Sequence, residues 1–412
     1  MSVTPFFTYF VLYRAIIFCS VLISAVGVGT TTAKYSHADV LTDYQRLTNT
    51  AHLVIDEQGS VIASSHAEEP LIPASTVKLV TAWLSLEHWG EDYRFTTAFY
   101  YDAINQTLAV KAGGDPFLVS EEIAVIANNL VAAGVERVSV IRLQTDLFQP
   151  DLIVPGATTT DNPYDAVPTS LAANFNTVNV QVDGAGVASA EPQTPLTPIA
   201  SKIAEELKKS GKFRVNTGRS SKRATRYFAE LLAVMLRHRG VEVSDVVEWG
   251  AVPDTAPLYV HRNSKTLGEI ITGMLKYSTN FIANQLILTM VAELTDTPAD
   301  FDLVERYLEG QLSRHAGWSA FKLREGAGLS PDNRLTAVQL VQLLEKLRRW
   351  QHLLPEIQPG IVAKTGTLTG VKTLAGFAED ARGRQLPFAV LINQQVDASM
   401  PVYVIDALVN RN

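Results

Sequence analysis

The 412-residue sequence predicts an α/β fold of the α+β type, in more than one domain, and three observations support this. A chain of this length exceeds what a single hydrophobic core usually holds. Residues 362–367, 374–378 and 386–392 are short apolar runs that predict adjacent antiparallel strands near the carboxyl end. Residues 95–143 alternate strand, helix and strand patterns, which predicts a small α/β insert.

The other elements follow in chain order. A hairpin is predicted from residues 52–56 and 60–64, joined by Glu57-Gln58-Gly59. We expect the helix at 120–133 to begin with Ser120 as its N-cap. Residues 149–168 are rich in Pro, Asp, Asn and Thr and predict a long functional loop. Further helices are predicted at 75–89, 199–209, 225–239, 267–275, from 280 to about 293, 303–315, 336–350 and 402–410.

Composition excludes several classes of protein. Hydrophobic residues make up 47% and charged residues 19%, which is typical of a globular chain. The net charge is −7 and no long basic run occurs, so nucleic acid is not an expected partner. A basic cluster at 219–226 is interpreted as solvated surface. The eight histidines lack metal-ligand spacing, so neither a metal nor another cofactor is expected.

The first 38 residues have the pattern of a targeting segment. Arg14 precedes an uncharged apolar run at 15–28, and Ala33 or Ala38 is a candidate cleavage site. Together with residues 6–13 the run could instead remain as a membrane anchor. The single cysteine, Cys19, lies within this segment, so the remaining chain has no thiol chemistry. We expect export to the periplasm or the extracytoplasmic cell surface.

Ser75 and Lys78 are the first candidate catalytic pair. On a helix, residues three apart lie on one face, which brings an amine beside a hydroxyl. A serine hydroxyl needs a base within hydrogen-bond reach, and a lysine with a lowered pKa can serve. Alone the pattern is weak evidence for catalysis, because an ordinary helix start with a solvated lysine has the same sequence pattern.

Two later motifs strengthen that pair, namely Ser278-Thr279-Asn280 and Lys364-Thr365-Gly366. Separately, the first could cap a helix and the second could end a strand. In this order the three motifs resemble the signature of the active-site serine penicillin-interacting enzymes.

That resemblance implies a set of roles. Ser75 attacks a carbonyl, Lys78 is its general base, and Ser278 relays the proton to the leaving amine. Asn280 holds the substrate amide and Lys78. On the strand, Lys364 and the Thr365 hydroxyl bind a substrate carboxylate, and Gly366 lets the substrate backbone approach. The resemblance also implies an oxyanion hole formed by the Thr367 and Ser75 N–H groups.

About 200 residues separate Ser75 from Ser278, and this large spacing resembles the class C low-molecular-mass penicillin-binding proteins. These are the D-alanyl-D-alanine carboxypeptidase/endopeptidase family, often called the DacB type. Further similarity lies at 113–116, 170–176, 326–330 and 364–376. The chain departs from the family pattern at three positions, which are Thr279 in place of aspartate, Asn284 in place of glutamate and Ala327 in place of serine.

The resemblance implies a penicillin-binding, β-lactamase-like domain at 39–97 and 255–412, with an antiparallel sheet between helices, and an insert at 98–254. It further implies a serine-type D-Ala-D-Ala carboxypeptidase, with possible DD-endopeptidase activity. The substrate would be peptidoglycan stem peptide, and β-lactams would acylate Ser75. Asp151 is a candidate contact for the substrate side chain, left unassigned. The alternatives are a β-lactamase and a non-catalytic binding or sensor module.

Overall fold

A computed structural model of the protein describes residues 36–410, and residues 37–410 belong to one compact unit. The apolar run at 15–28 and Cys19 lie outside the described residues. Within the described part, no helix combines the length and apolar character that a membrane span requires.

The strands are β1 (Thr50–Ile55), β2 (Val61–Ser65), β3 (Thr96–Asp102), β4 (Thr107–Lys111), β5 (Arg137–Val138), β6 (Val140–Gln144), β7 (Thr177–Asp183), β8 (Gly186–Ser189), β9 (Gly211–Asn216), β10 (Glu242–Val243), β11 (Val247–Trp249), β12 (Tyr259–Arg262), β13 (Glu356–Gln358), β14 (Ile361–Leu368), β15 (Val371–Glu379) and β16 (Gln385–Ile392). The helices are α1 (His37–Gln45), α2 (Lys78–Trp89), α3 (Ser120–Ala132), α4 (Pro198–Leu207), α5 (Ser221–Arg237), α6 (Leu267–Tyr277), α7 (Asn280–Thr295), α8 (Phe301–Ala316), α9 (Ala337–Leu347) and α10 (Met400–Val409).

The largest sheet is antiparallel and has the order β13-β14-β15-β16-β1-β2. Its side chains alternate between two apolar clusters, as the pleat requires. On β16, Ala389 and Leu391 pack with α2 and α6 to α9, whereas Phe388 and Val390 pack with α1 and α10. The sheet therefore lies between two helical layers, and both the predicted hairpin and the three predicted carboxyl-terminal strands are confirmed.

A second group of strands comes from the middle of the chain. The five-stranded sheet has the order β11-β6-β4-β3-β12 and combines parallel and antiparallel pairs. It shares a separate apolar cluster with α3 and α5. Because β12 pairs with β3, this sheet begins at Thr96 and ends at Arg262, somewhat wider than 98–254. The division into catalytic and inserted domains stays a prediction.

The predicted N-cap of α3 and the predicted start of α5 were wrong. Val119, not Ser120, is the N-cap of α3, since Ser120 is buried and its hydroxyl bonds Thr194 at 2.7 Å. Helix α5 begins at Ser221 rather than at 225, because Ser220 caps it and accepts the Arg223 N–H at 3.4 Å. The basic cluster at 219–226 thus spans the start of α5, where Arg223 pairs with Glu206.

Candidate active site

The nucleophile candidate lies in a short turn at the start of α2. Residues Ala74–Val77 form a single 3-10 turn, and α2 proper begins at Lys78. Ala74 has φ of +47°, a left-handed conformation that is unusual for a residue with a side chain. This turn presents Ser75 at the surface of the helix layer, half-buried, with its Oγ 3.0 Å from Lys78 Nζ. The structure therefore brings the predicted pair together.

The Lys78 side chain is fully buried and surrounded by acceptors. Its Nζ donates to Asn280 Oδ1 at 2.8 Å and to the Ala327 carbonyl at 2.6 Å, with Ser75 Oγ as the third neighbour. A neutral amine has two N–H donors and one lone pair. The two carbonyl acceptors match those donors, which leaves the lone pair for the Ser75 hydroxyl proton.

Burial lowers the pKa of Lys78 well below its usual value, because an ammonium group loses its hydration there. The positive charge of Lys364 lowers this pKa further, and the negative charge of Glu325 opposes both effects. A lysine with a lowered pKa is the kind of group that can accept a proton near neutral pH.

The second motif lies between two helices. Ser278 ends α6 with φ of +54°, and α7 begins at Asn280. This sharp turn directs Asn280 toward Lys78, while Asn280 Nδ2 lies 3.5 Å from the Tyr164 carbonyl of the long loop. Ser278 is half-buried, and within the described residues its hydroxyl has no hydrogen-bond partner. That hydroxyl is therefore available to a substrate.

The third motif is on β14. Thr365 and Thr367 are exposed, whereas the Lys364 side chain is buried and its Nζ donates to the Thr365 carbonyl at 2.6 Å. Burial lowers the pKa of Lys364 to about 8, so it still carries a positive charge at neutral pH. The motif thus combines a buried cation with two exposed threonines on the same strand.

Gly366 has a packing role in the structure, and its predicted role in the approach of the substrate backbone stays a prediction. A methyl group on Gly366 would lie 2.1 Å from Thr373 Oγ1, 2.9 Å from the Pro73 carbonyl and 3.0 Å from the Ser75 nitrogen. Thr373 Oγ1 in turn donates to the Pro73 carbonyl at 2.8 Å. The absent side chain therefore lets β14 and β15 pack directly against the turn that carries Ser75.

Sequence reasoning gave no role to Glu325, which the structure places at this site. Its carboxylate is buried and binds the N–H groups of the turn at 326–330. That turn supplies the Ala327 carbonyl to Lys78. The family resemblance at 326–330 marked the segment, but a backbone carbonyl leaves no signature in the sequence.

Asp151, the unassigned candidate, has another use in the structure. Its Oδ1 accepts the Ser221 N–H at 2.7 Å and the Ser221 hydroxyl at 3.0 Å, and so satisfies the start of α5. A side chain bound in this way ties the long loop to α5, and none of its hydrogen bonds reaches the Ser75 site. Residues 36–410 contain no group of three His, Cys, Asp or Glu side chains arranged to hold a metal ion.

The chain is similar to known D-alanyl-D-alanine carboxypeptidases. The model of the D-Ala-D-Ala carboxypeptidase 3 (S13) family matches residues 35–210, 207–358 and 351–412. D-alanyl-D-alanine carboxypeptidase DacB of Haemophilus influenzae is 23% identical over 407 residues, covering 82% of this chain and 83% of that protein. D-alanyl-D-alanine carboxypeptidase of Actinomadura sp. (strain R39) is 26% identical over 428 residues, covering 86% and 79%.

The fold is also similar to a solved structure. The crystal structure of penicillin binding protein 4 (dacB) from Haemophilus influenzae superposes with a TM-score of 0.72 at 21% identity, covering 90% of this chain and 98% of that one. The predicted fold class and the predicted family are both confirmed. The chain belongs to the D-Ala-D-Ala carboxypeptidase 3 (S13) family.

Proposed function

We propose that this serine-type D-Ala-D-Ala carboxypeptidase works through an acyl-enzyme on Ser75. The observation that carries the proposal is the position of Lys78 Nζ, 3.0 Å from Ser75 Oγ and enclosed by two carbonyl acceptors. In the first step, Ser75 Oγ attacks the carbonyl carbon of the penultimate D-alanine. The Ser75 proton passes to Lys78, and a tetrahedral oxyanion forms.

The second step breaks the peptide bond. The proton on Lys78 passes to the leaving amine with Ser278 as relay, because an amine leaves only when it is protonated. The terminal D-alanine departs, and an ester between Ser75 and the remaining peptide is left. Water then hydrolyses this ester by the reverse proton route, which regenerates the Ser75 hydroxyl.

Two groups of residues bind the charges of the substrate. Lys364, with the Thr365 hydroxyl, faces the terminal carboxylate that a carboxypeptidase must recognise. The Ser75 and Thr367 N–H groups receive the oxyanion, at the point where β14 packs on the Ser75 turn. Asn280 holds both Lys78 and the substrate amide.

The natural substrate is a peptidoglycan stem peptide that ends in D-Ala-D-Ala. A β-lactam acylates the same Ser75, since its strained amide presents the same carbonyl and carboxylate. DD-endopeptidase activity on cross-linked peptides uses the same chemistry with a larger leaving group. A comparison of a monomeric stem peptide with a D-alanyl–diaminopimelate cross-linked dimer, as kcat/KM, measures the balance between the two activities.

The location follows from the substrate, because cell-wall peptides lie outside the cytoplasm. We propose that the targeting segment is removed and the enzyme acts in the periplasm or at the cell surface. Helix α1 begins at His37 and packs its apolar side chains in the core, so cleavage after Ala33 leaves α1 whole, whereas cleavage after Ala38 shortens it. The amino-terminal sequence of the secreted protein distinguishes the two sites.

A fluorescent penicillin tests the proposal. We expect a covalent adduct of one penicillin per chain that persists for minutes or longer, is absent in Ser75→Ala, and is accompanied by cleavage of a diacyl-D-Ala-D-Ala peptide. Ser85→Ala is the matched control: Ser85 lies on α2, and its buried hydroxyl has no hydrogen-bond partner among the described residues. It should react as the wild type does.

Intact mass, followed over time, separates the alternatives. An adduct that vanishes within seconds would identify a β-lactamase. An adduct without peptide cleavage would identify a binding or sensor module. Failure of the wild type to form any adduct would contradict the proposed acyl-enzyme on Ser75.

A further inference from the structure

The turn at 325–330 contacts both catalytic residues through its backbone. Its Ala327 carbonyl accepts a hydrogen bond from Lys78 Nζ at 2.6 Å. Its Gly328, with φ of +81°, lies so close to Ala74 that a methyl group there would be 1.9 Å from the Ala74 carbonyl and 3.0 Å from the Ser75 nitrogen. Any displacement of this turn therefore moves the surroundings of both Ser75 and Lys78.

Glu325 organises this turn from inside. Its Oε2 accepts the Ala327 N–H at 2.7 Å, and its Oε1 accepts the N–H groups of Gly328 at 2.8 Å, Leu329 at 2.8 Å and Ser330 at 3.3 Å. The Asn333 side chain donates to Oε1 at 2.9 Å. All five contacts are N–H donors, which match the acceptor-only inventory of an ionised carboxylate.

Two other side chains hold the same turn from outside. Asn284 Oδ1 accepts the Gly326 N–H at 2.9 Å, and Thr81 Oγ1 donates to the Gly326 carbonyl at 2.7 Å. Thr81 lies on α2, one turn after Lys78, and Asn284 lies on α7, one turn after Asn280. The turn is thus anchored to the two helices that carry the other catalytic groups.

The buried Glu325 carboxylate is linked to Lys78 by hydrogen bonds to one residue between them, Ala327. Ala327 donates its N–H to Glu325 and accepts from Lys78 with its carbonyl. Within residues 36–410, two charged side chains act on the pKa of Lys78: Lys364 on β14 lowers it and Glu325 on the turn raises it.

We propose that Glu325 is a positioning residue of the acylation step, which holds the Ala327 carbonyl against Lys78 and supplies the negative charge that balances the proton taken from Ser75. During that step the Ser75 Oγ–H bond breaks, the proton binds Lys78 Nζ, and the Ser75 Oγ–carbon bond forms. A cation develops in a buried site, where an anion a few bonds away stabilises it strongly. Glu325 itself neither gains nor loses a proton. The inference rests on the proposed acyl-enzyme on Ser75.

The sign of the pH effect follows from this role. Acylation requires neutral Lys78, so the rate rises as pH rises through the pKa of Lys78. Since the Glu325 charge raises that pKa, Glu325→Gln should move the rising limb of the pH–rate profile to lower pH. A weaker base and a displaced carbonyl should also lower the plateau rate roughly 10- to 100-fold.

The experiment measures the second-order rate of acylation by a fluorescent penicillin from pH 5 to 10, in the wild type, Glu325→Gln and Glu325→Asp. Glu325→Asp keeps the charge but reaches fewer N–H groups. The rising limb of its pH–rate profile should therefore stay at the same pH, while its plateau acylation rate falls at least about tenfold. Asp115→Asn is the matched control. Asp115 is another buried carboxyl held by N–H donors, from Phe117 and Asn263, and none of its hydrogen bonds reaches the Ser75 site.

The outcomes separate cleanly. A rising limb that stays in place or moves to higher pH in folded Glu325→Gln would overturn the inference, as would a wild-type plateau in Glu325→Asp. If Glu325→Gln does not fold, the plateau acylation rate of Glu325→Asp tests the inference instead. That comparison requires that Glu325→Asp unfold at the same temperature as the wild type. If the wild type itself is not acylated, the proposed function fails instead, which is a distinct result. A change in Asp115→Asn equal to that in Glu325→Gln would show a general effect of buried acids and would also overturn it.

Discussion

Lys78 has to satisfy two opposing requirements. It must be neutral to accept a proton, and it must also hold a positive charge while the proton resides on it. Burial favours the neutral form, whereas the Asn280 and Ala327 carbonyls and the Glu325 charge favour the charged one. The residue types at 75 and 78 determine which atoms react, but the residues around them determine the pH range in which they react.

Lys364 should determine the alkaline limit of activity. Burial lowers its pKa to about 8, so it loses its positive charge as pH rises through that value. Binding of the substrate or penicillin carboxylate weakens when the charge is lost, and we expect the acylation rate to fall above about pH 8. The second-order acylation rate from pH 5 to 10 measures this limb directly.

Lys364→Gln should lose that falling limb and react more slowly, roughly 10- to 100-fold, at neutral pH. The exposed Lys111 on β4 provides the matched control, since Lys111→Gln removes the same charge far from the motif. A falling limb that survives in Lys364→Gln would assign the alkaline titration to another group.

Among the secondary-structure elements, β14 packs directly against the Ser75 turn. The contact depends on Gly366, because Pro73 and Ser75 contribute backbone atoms that cannot move aside cheaply. We expect Gly366→Ala to lower the free energy of unfolding by about 1–3 kcal/mol through overpacking. It should also slow penicillin acylation, because the Ser75 turn must shift to relieve the overlap.

Gly273 on α6 gives a control for the glycine effect itself. No heavy atom lies within 4 Å of where its side chain would be, and it has a helical backbone. Gly273→Ala should therefore raise stability by about 0.5–1 kcal/mol without a change in acylation. Urea unfolding and the acylation rate measure both variants, and a Gly366→Ala enzyme as stable and fast as the wild type would contradict the packing argument.

Helix ends show where local prediction works. Thr336 begins the helix predicted at 336–350, and in the structure it caps α9 through a full capping box in which Thr336 and Gln339 exchange hydrogen bonds. Ser120 is also a favoured N-cap residue type at a predicted helix start, yet its hydroxyl forms a hydrogen bond with Thr194 instead. A capping box is complete within four residues, whereas the position of Thr194 depends on the packing of a distant segment.

At the scale of the whole molecule, the large sheet separates two helical layers with different roles. The layer of α2 and α6 to α9 carries the catalytic turn, and the layer of α1 and α10 covers the opposite face. Helix α1 buries Val40, Leu41 and Tyr44 there. Its contribution should therefore be to stability rather than to catalysis.

A truncation tests this division of roles. A chain that starts at residue 36 keeps α1 and should match the mature enzyme in stability and acylation. A chain that starts at residue 47 exposes the apolar face that α1 covered, and we expect it to lose about 2–5 kcal/mol of unfolding free energy. Thermal unfolding and penicillin acylation of the folded fraction are the measurements. Equal midpoints for the two chains would show that α1 contributes nothing.

The sequence by itself determined the family, the order of the three motifs and most of the elements. Strand alternation, capping signals and residue types are local, so Ser75, Lys78, Ser278, Asn280 and Lys364 could be named before the fold was seen. The large spacing between the first two motifs also indicated an insertion. These signals survive because each is complete within a few residues.

Only the tertiary structure decided how the base is held. The Ala327 carbonyl meets Lys78 across 249 positions of the chain, and a backbone carbonyl has no sequence signature. The same holds for Glu325, whose partners are backbone N–H groups, and for Gly366, whose small size matters because of Pro73 and Ser75. Asp151 stays a candidate substrate contact, and its hydrogen bonds to Ser221, 70 positions along the chain, are likewise set by the fold. Long-range packing sets these contacts, and packing depends on the whole fold rather than on neighbouring residues.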